Sequence, residues 1–376
     1  MNILFACGGT AGHVYPAIAV AEKLKTLLPD TKVRFIGAKG KMEADLIPRK
    51  GFDIETITIT NLRRSVAPKA ILHNLGTMKN IITASKEARQ IIKRFQPNIV
   101  VGTGGYVCYP VIKQAAKLGI PTIIHEANRV PGLTTKRLAK CANYVMVGFE
   151  DAKAAYQNTD KVVYTGIPVR SGFSGQDKTA ARIKLGVPMD KPLVVSFWGS
   201  LGATKMNESL RDTIRQNYAS NAWYHIHATG GGEDRAKAMI QSLATQGATD
   251  LPARGIHIHP FLHDMEQAMA AADLIICRAG ASTLAELTAA ARPAILVPSP
   301  YVTANHQEEN AKVFAEQDGA ILLKDADATG DRLFAEIKKL TATPDVLVRM
   351  GRTMGTLGKK NATEEIVKII LDQIKT

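Results

Sequence analysis

The chain has little of several things, and each shortage excludes a class of protein. Its 376 residues include only four cysteines, Cys7, Cys108, Cys141 and Cys277. They lie far apart with no C-x-x-C pair, so neither a disulfide framework nor a zinc ribbon follows, and a reducing compartment fits. Aromatic residues make up 6%, few for a surface that stacks bases. No helix-turn-helix, zinc or RNA-recognition signature accompanies the basic charge, so no nucleic-acid partner is expected. No apolar run approaches the ~20 residues that span a bilayer. Residues 1–7 are too short and uncharged for a signal peptide. The expected location is therefore the cytoplasm or a membrane surface facing it. No Asp-x-Asp stands ready to bind a metal–diphosphate: Asp151, Asp264 and Asp273 each stand alone. Two His-x-His pairs, His225/His227 and His257/His259, could hold a metal only if two strands lay adjacent and in register; neither metal nor cofactor is expected.

Acidic residues are scarce in one half only. Residues 1–165 hold 24 Lys and Arg against 11 Asp and Glu, whereas the remaining 211 hold 24 against 23. The first half is thus built to meet an anionic partner or surface, and the second is neutral.

What is present describes a soluble α/β chain of about two domains at ~150 residues each. Short apolar runs predict strands over 2–6, 32–36, 54–58, 98–102, 122–125, 144–147 and 162–164, and the series restarts over 193–197, 223–228, 256–259, 273–277, 294–297 and 320–323. Helical stretches alternate with them; over 12–28, Ile18, Ala21, Leu24 and Leu28 recur at helical spacing. Near-continuous apolar strands with helices between them indicate parallel sheets covered on both faces. The restart predicts two doubly wound domains, 1–164 and 165–345, and a C-terminal helical segment, 346–376, that can pack back on the first. Ligands of such sheets bind outside the carboxyl ends of the strands, so two facing domains would make one cleft lined by strand-end loops.

Those loops carry the motifs. Gly8-Gly-Thr-Ala-Gly-His13 ends the first strand and opens the first helix, where glycines and free N–H groups suit a phosphate. It has neither Walker-A spacing nor G-x-G-x-x-G, and a ligand-free tight turn is the alternative. Gly102-Thr-Gly-Gly-Tyr106 makes a second such loop, and His125-Glu-Ala-Asn128 brings imidazole, carboxylate and amide to the next strand end. In the second half, Trp198-Gly-Ser-Leu-Gly-Ala203 repeats the design, and Thr229-Gly-Gly-Gly232 follows. Cys277-Arg-Ala-Gly-Ala-Ser-Thr-Leu-Ala-Glu286 places Arg278, Ser282 and Thr283 before a helix bearing Glu286. A plain N-cap with a capping-box-like glutamate is the alternative there. His13 is the best general-base candidate, because a helix start favours neutral imidazole; Glu126 is second.

The motifs GGTAGH (8–13), KMEADLIP (41–48), GTGGY (102–106), HEAN (125–128), TGIPVR (165–170), FLHDM (261–265), CRAGASTLAE (277–286) and HQEENA (306–311) stand together in an order that resembles glycosyltransferase family 28. These are inverting GT-B enzymes that move N-acetylglucosamine from its UDP form to an undecaprenyl-linked muramyl-pentapeptide in peptidoglycan synthesis. The resemblance covers essentially the whole chain. It implies two Rossmann-like doubly wound domains facing a central cleft, the first holding the lipid-linked acceptor and the second the UDP-N-acetylglucosamine donor. Carried over by position, Thr10, Ala11, Gly12, Asn128 and Arg170 contact the donor from the first domain and linker. Ser200 reaches the donor diphosphate, and Leu262 faces uracil. Ala281, Ser282, Thr283, Leu284, Ala285 and Glu286 surround the nucleotide, with Glu286 on the ribose, and Gln307 bonds the sugar. Gly9, Gly104, Gly105 and Tyr106 belong to the acceptor side, beside His13 and Glu126 as catalytic candidates. Ala11, Trp198, Leu201, Ala127 and His306 depart from the family pattern and alter the donor loops most.

Basic side chains also cluster between 61 and 95, where Arg63, Arg64, Lys69, Lys79, Lys86, Arg89, Lys93 and Arg94 face a single acid, Glu87. Leu72, Leu75 and their apolar neighbours interleave at helical spacing. Either this is a solvated basic face over a core stripe, or Arg63, Arg64, Lys69, Leu72, Leu75 and Lys79 dock on anionic membrane lipid. The lipid-linked acceptor favours docking at the cytoplasmic face of the cell membrane, as a peripheral protein, with other cell-wall synthesis proteins as further partners. Rival readings are a diacylglycerol glycosyltransferase, a UDP-N-acetylglucosamine 2-epimerase, and a non-catalytic basic nucleotide- or nucleic-acid-binding protein.

Overall fold

The computed structural model of the chain describes residues 1–60 and 68–375; the side chains at 68–79 and 375 lie outside that description. The chain divides into two compact units, Met1–Arg170 with Lys359–Thr376, and Ser171–Gly358. The first change of unit falls at the end of the TGIPVR motif, 165–170.

Unit 1 runs β1 (Asn2–Cys7), α1 (Ala11–Leu27), β2 (Lys32–Ala38), α2 (Glu43–Leu46), β3 (Asp53–Ile57), α3 (Pro68–Phe95), β4 (Ile99–Gly104), α4 (Cys108–Lys117), β5 (Thr122–Glu126), α5 (Leu133–Leu138), β6 (Tyr144–Val147) and β7 (Val162–Tyr164). Its seven strands lie in the order β3-β2-β1-β4-β5-β6-β7, all parallel. Strand β1 is buried from Ile3 to Cys7 and β5 throughout, because helices cover both faces. Strand β4 runs two residues beyond its expected end, through Thr103 and Gly104, across a register shift opposite Ala6 and Cys7. Such irregularities re-aim the chain at strand ends. In α1, Ile18, Ala21 and Leu24 are fully buried as their spacing requires, but Leu28 caps the helix and is exposed.

Unit 2 runs α6 (Lys178–Leu185), β8 (Leu193–Phe197), α7 (Thr204–Ser220), β9 (Tyr224–Ala228), α8 (Glu233–Thr245), β10 (Ile256–His259), α9 (Met265–Ala271), β11 (Leu274–Cys277), α10 (Ala281–Ala290), β12 (Ala294–Leu296), α11 (His306–Ala315), β13 (Ala320–Leu322), α12 (Gly330–Thr341) and α13 (Pro344–Thr356). Its sheet has the order β10-β9-β8-β11-β12-β13, again all parallel. The last helix, α14 (Ala362–Lys375), returns to unit 1, where Ile366, Val367 and Ile370 join the core cluster of α1 and β1. Burying each contributes about 1.5–3 kcal/mol. Helix α13 stays with unit 2 and packs on α10 and α12.

One polar chain crosses the core of unit 2. His225 and His227 project from β9 to the same face and both approach Ser196 Oγ of β8 at 2.9 Å. Trp223 Nε1 donates to His225 Nδ1 at 3.2 Å, and His227 Nε2 meets Asn207 Oδ1 at 3.1 Å. Every ring nitrogen of this pair is therefore engaged inside the protein, not aimed at a shared ion. Burial is the main cause that pushes both imidazoles down to about 3, so each is neutral at pH 7.

That depression gives a pH dependence with a definite sign. In the unfolded chain the two histidines titrate near 6.5, so below that pH the unfolded state takes up protons that the folded state refuses. The stabilisation is complete above pH 6.5 and is lost as pH falls toward 3, by roughly 2 kcal/mol for each residue at pH 5. Urea unfolding at pH 7 and pH 5 checks it: the parent should lose several kcal/mol more than H225Q/H227Q. Parallel losses in the two proteins would refute the assignment.

Candidate functional site

Both sheets reverse their strand order once, at β1/β4 and at β8/β11. These switch points are where parallel sheets open a crevice at their carboxyl edge, and the glycine motifs fall on them. In unit 1, residues 8–10 link β1 to α1, and Gly104, Gly105 and Tyr106 follow at the end of β4. Thr10 is the N-cap of α1 but makes no side-chain cap bond. Its hydroxyl instead meets His13 Nδ1 at 3.2 Å, and the same nitrogen lies 3.0 Å from the Gly8 carbonyl. A carbonyl has no proton to give, so the proton sits on Nδ1 and Nε2 carries the lone pair. Thr103 Oγ1 donates to the His13 carbonyl at 2.7 Å, tying the start of α1 to β4.

The ring of His13 lies against glycine. A methyl on Gly104, whose φ is +117°, would stand 2.4 Å from His13 Cδ2, and one on Gly105 would stand 2.2 Å from the Gly8 carbonyl oxygen. Only glycine leaves room there. Tyr106 covers Gly9 from the other side. Ala11 and Gly12 form the first turn of α1 beside them.

The brace of this loop is a residue not singled out from the sequence. Glu43, fully buried at the start of α2, accepts from the Gly9 N–H at 3.2 and 3.3 Å and from the Ala38 N–H at 3.0 Å. A side chain at Gly8 would collide with its carboxylate. Linear spacing hides this role, because the contact joins the turns after β1 and β2.

Glu126 is occupied differently from a base waiting for a proton. Its buried carboxylate accepts from the Asn128 N–H at 3.1 Å, the Asn128 side-chain amide at 3.0 Å and the Gly132 N–H at 2.9 Å. It holds the loop that presents Asn128. Beside it, His125 Nε2 pairs with the Gly166 carbonyl at 2.9 Å, and burial lowers its pKa. Arg170 closes unit 1 with its guanidinium 4.2 Å over the Tyr15 ring of α1, a cation–π contact.

In unit 2, residues 198–203 leave β8 and enter α7. Leu201 is 80% exposed, whereas Trp198 is buried in the core cluster. The departure at 198 therefore fills the interior. Ser200 lies at the turn between Gly199 and Gly202, both left-handed. At the neighbouring switch strand, Gly280 is the N-cap of α10 and supplies no side-chain cap. Ala281, Ser282 and Thr283 thus form the first helical turn, which excludes the simple Ser/Thr N-cap and leaves an uncapped N-terminus suited to an anion. Leu284 and Ala285 are buried, and Glu286, one turn on, is half-buried. Arg278 points inward to Asp325 at 2.7 Å and to the Val297 carbonyl at 3.0 Å. Leu262 sits half-buried after β10, between Phe261 and His263, whose rings meet edge-on. Gln307 Oε1 accepts from the Ser299 N–H at 2.9 Å, so its amide nitrogen is its donor end. The loop before it holds Ala304 and Asn305 at φ +53° and +50°, strain of the kind found at binding loops.

Of the basic surface, Arg63 and Arg64 lie outside the described residues. Lys69, Leu72, Leu75 and Lys79 fall in α3 where side chains also lie outside the description. The later part of α3 leaves Ile82 62% exposed, with Lys86, Arg89 and Lys93 also exposed. Lys113, Lys117, Arg137 and Lys140 line a pocket between α4 and α5. No helix among the described residues is long and apolar enough to cross a membrane.

Comparison with known proteins agrees along the whole length. Residues 3–147 match the glycosyltransferase family 28 N-terminal domain and residues 193–366 its C-terminal domain. The chain is 40% identical over 375 residues to the UDP-N-acetylglucosamine--N-acetylmuramyl-(pentapeptide) pyrophosphoryl-undecaprenol N-acetylglucosamine transferase of Acetivibrio thermocellus, covering 100% of this chain and 99% of that one. The crystal structure of Acinetobacter baumannii MurG superimposes with a TM-score of 0.73 at 29% identity, covering 99% of this chain and 100% of that one. A UDP-GlcNAc 2-epimerase from Neisseria meningitidis superimposes at 0.67 but with 13% identity, over 99% and 100% of the two chains. That likeness extends to the fold alone.

The buried carboxylate of Glu43 generates a direct test. Glu43→Ala strands the Gly9 and Ala38 N–H groups, at about 1–3 kcal/mol for each. Glu43→Gln keeps one acceptor oxygen and should cost less. Urea unfolding should rank the three proteins in that order. An alanine variant within ~0.5 kcal/mol of the parent would remove Glu43 as the brace.

Proposed function

The chain belongs to glycosyltransferase family 28, and from that premise we propose that it moves N-acetylglucosamine from UDP-N-acetylglucosamine to the 4-hydroxyl of the muramyl sugar of undecaprenyl-diphospho-N-acetylmuramoyl-pentapeptide. It is an inverting hexosyltransferase of peptidoglycan synthesis. The observation that carries the reading is the full-length similarity to the transferase of Acetivibrio thermocellus, joined to motif loops at both strand-order reversals. Unit 1 takes the acceptor role and unit 2 the donor role.

In this reading the acceptor oxygen attacks the anomeric carbon from the side opposite the diphosphate. Its proton passes to Nε2 of His13, the nitrogen left basic by the Gly8 carbonyl. The bond from the anomeric carbon to the diphosphate oxygen breaks, and the electron pair leaves with UDP. The uncapped first turn of α10 and the loop at Ser200 offset the diphosphate charge, and Arg170, Thr10, Ala11, Gly12 and Asn128 add contacts to the donor. Glu286 accepts from ribose hydroxyls, Leu262 faces uracil, and the amide nitrogen of Gln307, whose oxygen is taken by the Ser299 N–H, donates to the sugar. Gly9, Gly104, Gly105 and Tyr106 shape the acceptor side, and Glu126 orders Asn128.

Labelled UDP-N-acetylglucosamine with the lipid-linked muramyl acceptor should yield chloroform-soluble label; none, beside an active control enzyme, overturns the reading. His13→Ala should lower kcat by ~10²–10⁴-fold with donor affinity little changed. Glu286→Gln should weaken donor binding by about 1–3 kcal/mol, raising donor KM and sparing acceptor KM.

The proposal extends to peripheral docking on anionic lipid at the cytoplasmic membrane face, through Arg63, Arg64, Lys69, Leu72, Leu75 and Lys79. The excess of basic residues in the first half supports it, as do the exposed Ile82 and the four cations between α4 and α5. A role in cell shape and division, alongside other cell-wall synthesis proteins, belongs to the same proposal. Charge reversal at Arg63, Arg64, Lys69 and Lys79 should release the protein from anionic vesicles, since each cation contributes ~1 kcal/mol. Parent binding should fade at ~0.5 M salt. Binding indifferent to lipid charge and salt would refute docking.

A further inference from the structure

The buried chain in unit 2 has a single direction, and it ends at the glycine loops. From one end, the indole of Trp223 only donates, so His225 Nδ1 accepts and its Nε2–H donates to Ser196 Oγ. From the other end, the Thr229 carbonyl only accepts, at 3.0 Å from Asn207 Nδ2. Asn207 Oδ1 therefore faces His227, whose Nε2–H must donate to it. A neutral His227 then has a bare Nδ1, which accepts the one proton Ser196 Oγ has left to give. The 3.1 Å approach of that nitrogen to the Ser196 carbonyl is thereby a contact, not a hydrogen bond. Both derivations meet at Ser196 without conflict.

Every link is buried: Ser196, His225, His227 and Thr229 are 0% exposed and Asn207 is 7%. Asn217 of α7 clamps the Trp223 backbone on both sides, accepting at 3.2 Å and donating at 3.0 Å. Aligned hydrogen bonds polarise one another, and in a low-dielectric interior a missing link is costly. Beyond Thr229, Gly231 N–H donates to the Ser200 carbonyl at 3.0 Å, and Arg235 donates to the Leu201 carbonyl at 2.8 Å. A methyl on Gly202 would stand 2.3 Å from the Thr229 carbonyl oxygen. The two loops are thus locked back to back.

We propose that Ser196, His225, His227 and Asn207 are positioning residues of the donor site, a one-way hydrogen-bond chain that fixes Thr229 and, through Gly231 and Arg235, the loop carrying Ser200. The proposal rests on the donor reading of unit 2. Bulk apolar packing would hold β9 equally well; what the chain adds is a fixed height for one carbonyl beneath the diphosphate loop.

The test uses the full-length protein well below its melting temperature. UDP binding is measured by calorimetry, and donor and acceptor KM by turnover. Ser196→Ala and His227→Leu each cut the chain, and each should raise the UDP Kd and donor KM by about 5- to 30-fold, the effect of one or two lost alignments. Acceptor KM should stay at the parental value. His227→Gln retains one acceptor and one donor and should restore donor KM to within about threefold of the parent. It also serves if Ser196→Ala does not fold, because its comparison with His227→Leu isolates the same link. Cut variants that are folded, less thermostable and parental in UDP Kd would overturn the proposal, leaving the chain a core element only. A parent that fails to bind UDP would overturn the donor reading itself, so the two failures are distinguishable.

Discussion

Parallel strands deliver every chain exit to one edge of the sheet, and a sheet that reverses its winding must leave two exits side by side with no helix crossing between them. That constraint governs both units. At β1/β4 and β8/β11 the diverging helices leave a gap, and the backbone in the gap has no ladder or helix to satisfy it. Unit 1 answers with a buried carboxylate under the Gly8–Gly9 turn. Unit 2 answers with a second glycine loop and a chain of neutral side chains behind it. In both, the polar groups nearest the gap are held from behind, so the side facing out is already ordered.

The central strands were legible because both faces are covered, so that β1, β8 and β11 read as largely apolar runs. Ends were less legible: β4 continues through Thr103 and Gly104 because a register shift between Ala6 and Cys7 lets Cys7 pair with Gly104. The motif loops were legible as phosphate-type turns, and the order of the motifs pointed to the family. What each side chain does inside them was not. His225 and His227 share a strand face at any reading, but Ser196 and Asn207, from other elements, decide that they form hydrogen bonds and not a metal site. Likewise Ser282 and Thr283 look like caps in the sequence until Gly280 takes the N-cap position.

Glu43 and Glu126 make the same point for acids. Both are buried with their oxygens accepting backbone N–H groups. From the sequence, His13 leads as the base because it opens a helix, and Glu126 is second. The difference lies in what surrounds them: a carbonyl fixes the tautomer of His13, while three N–H groups occupy Glu126.

The route of the chain through the two units has a consequence for how the protein is made. Unit 2 is one uninterrupted stretch, Ser171–Gly358, whereas unit 1 needs α14 to cover Ile18 and Leu24 of α1. On the ribosome the order of completion is therefore inverted. The first 170 residues emerge early yet wait with an apolar stripe uncovered, and the segment that begins second closes its core first. Only when Ile366, Val367 and Ile370 clear the exit tunnel can the N-terminal half finish, which makes a nascent chain stalled shortly before them the species most exposed to chaperones and aggregation.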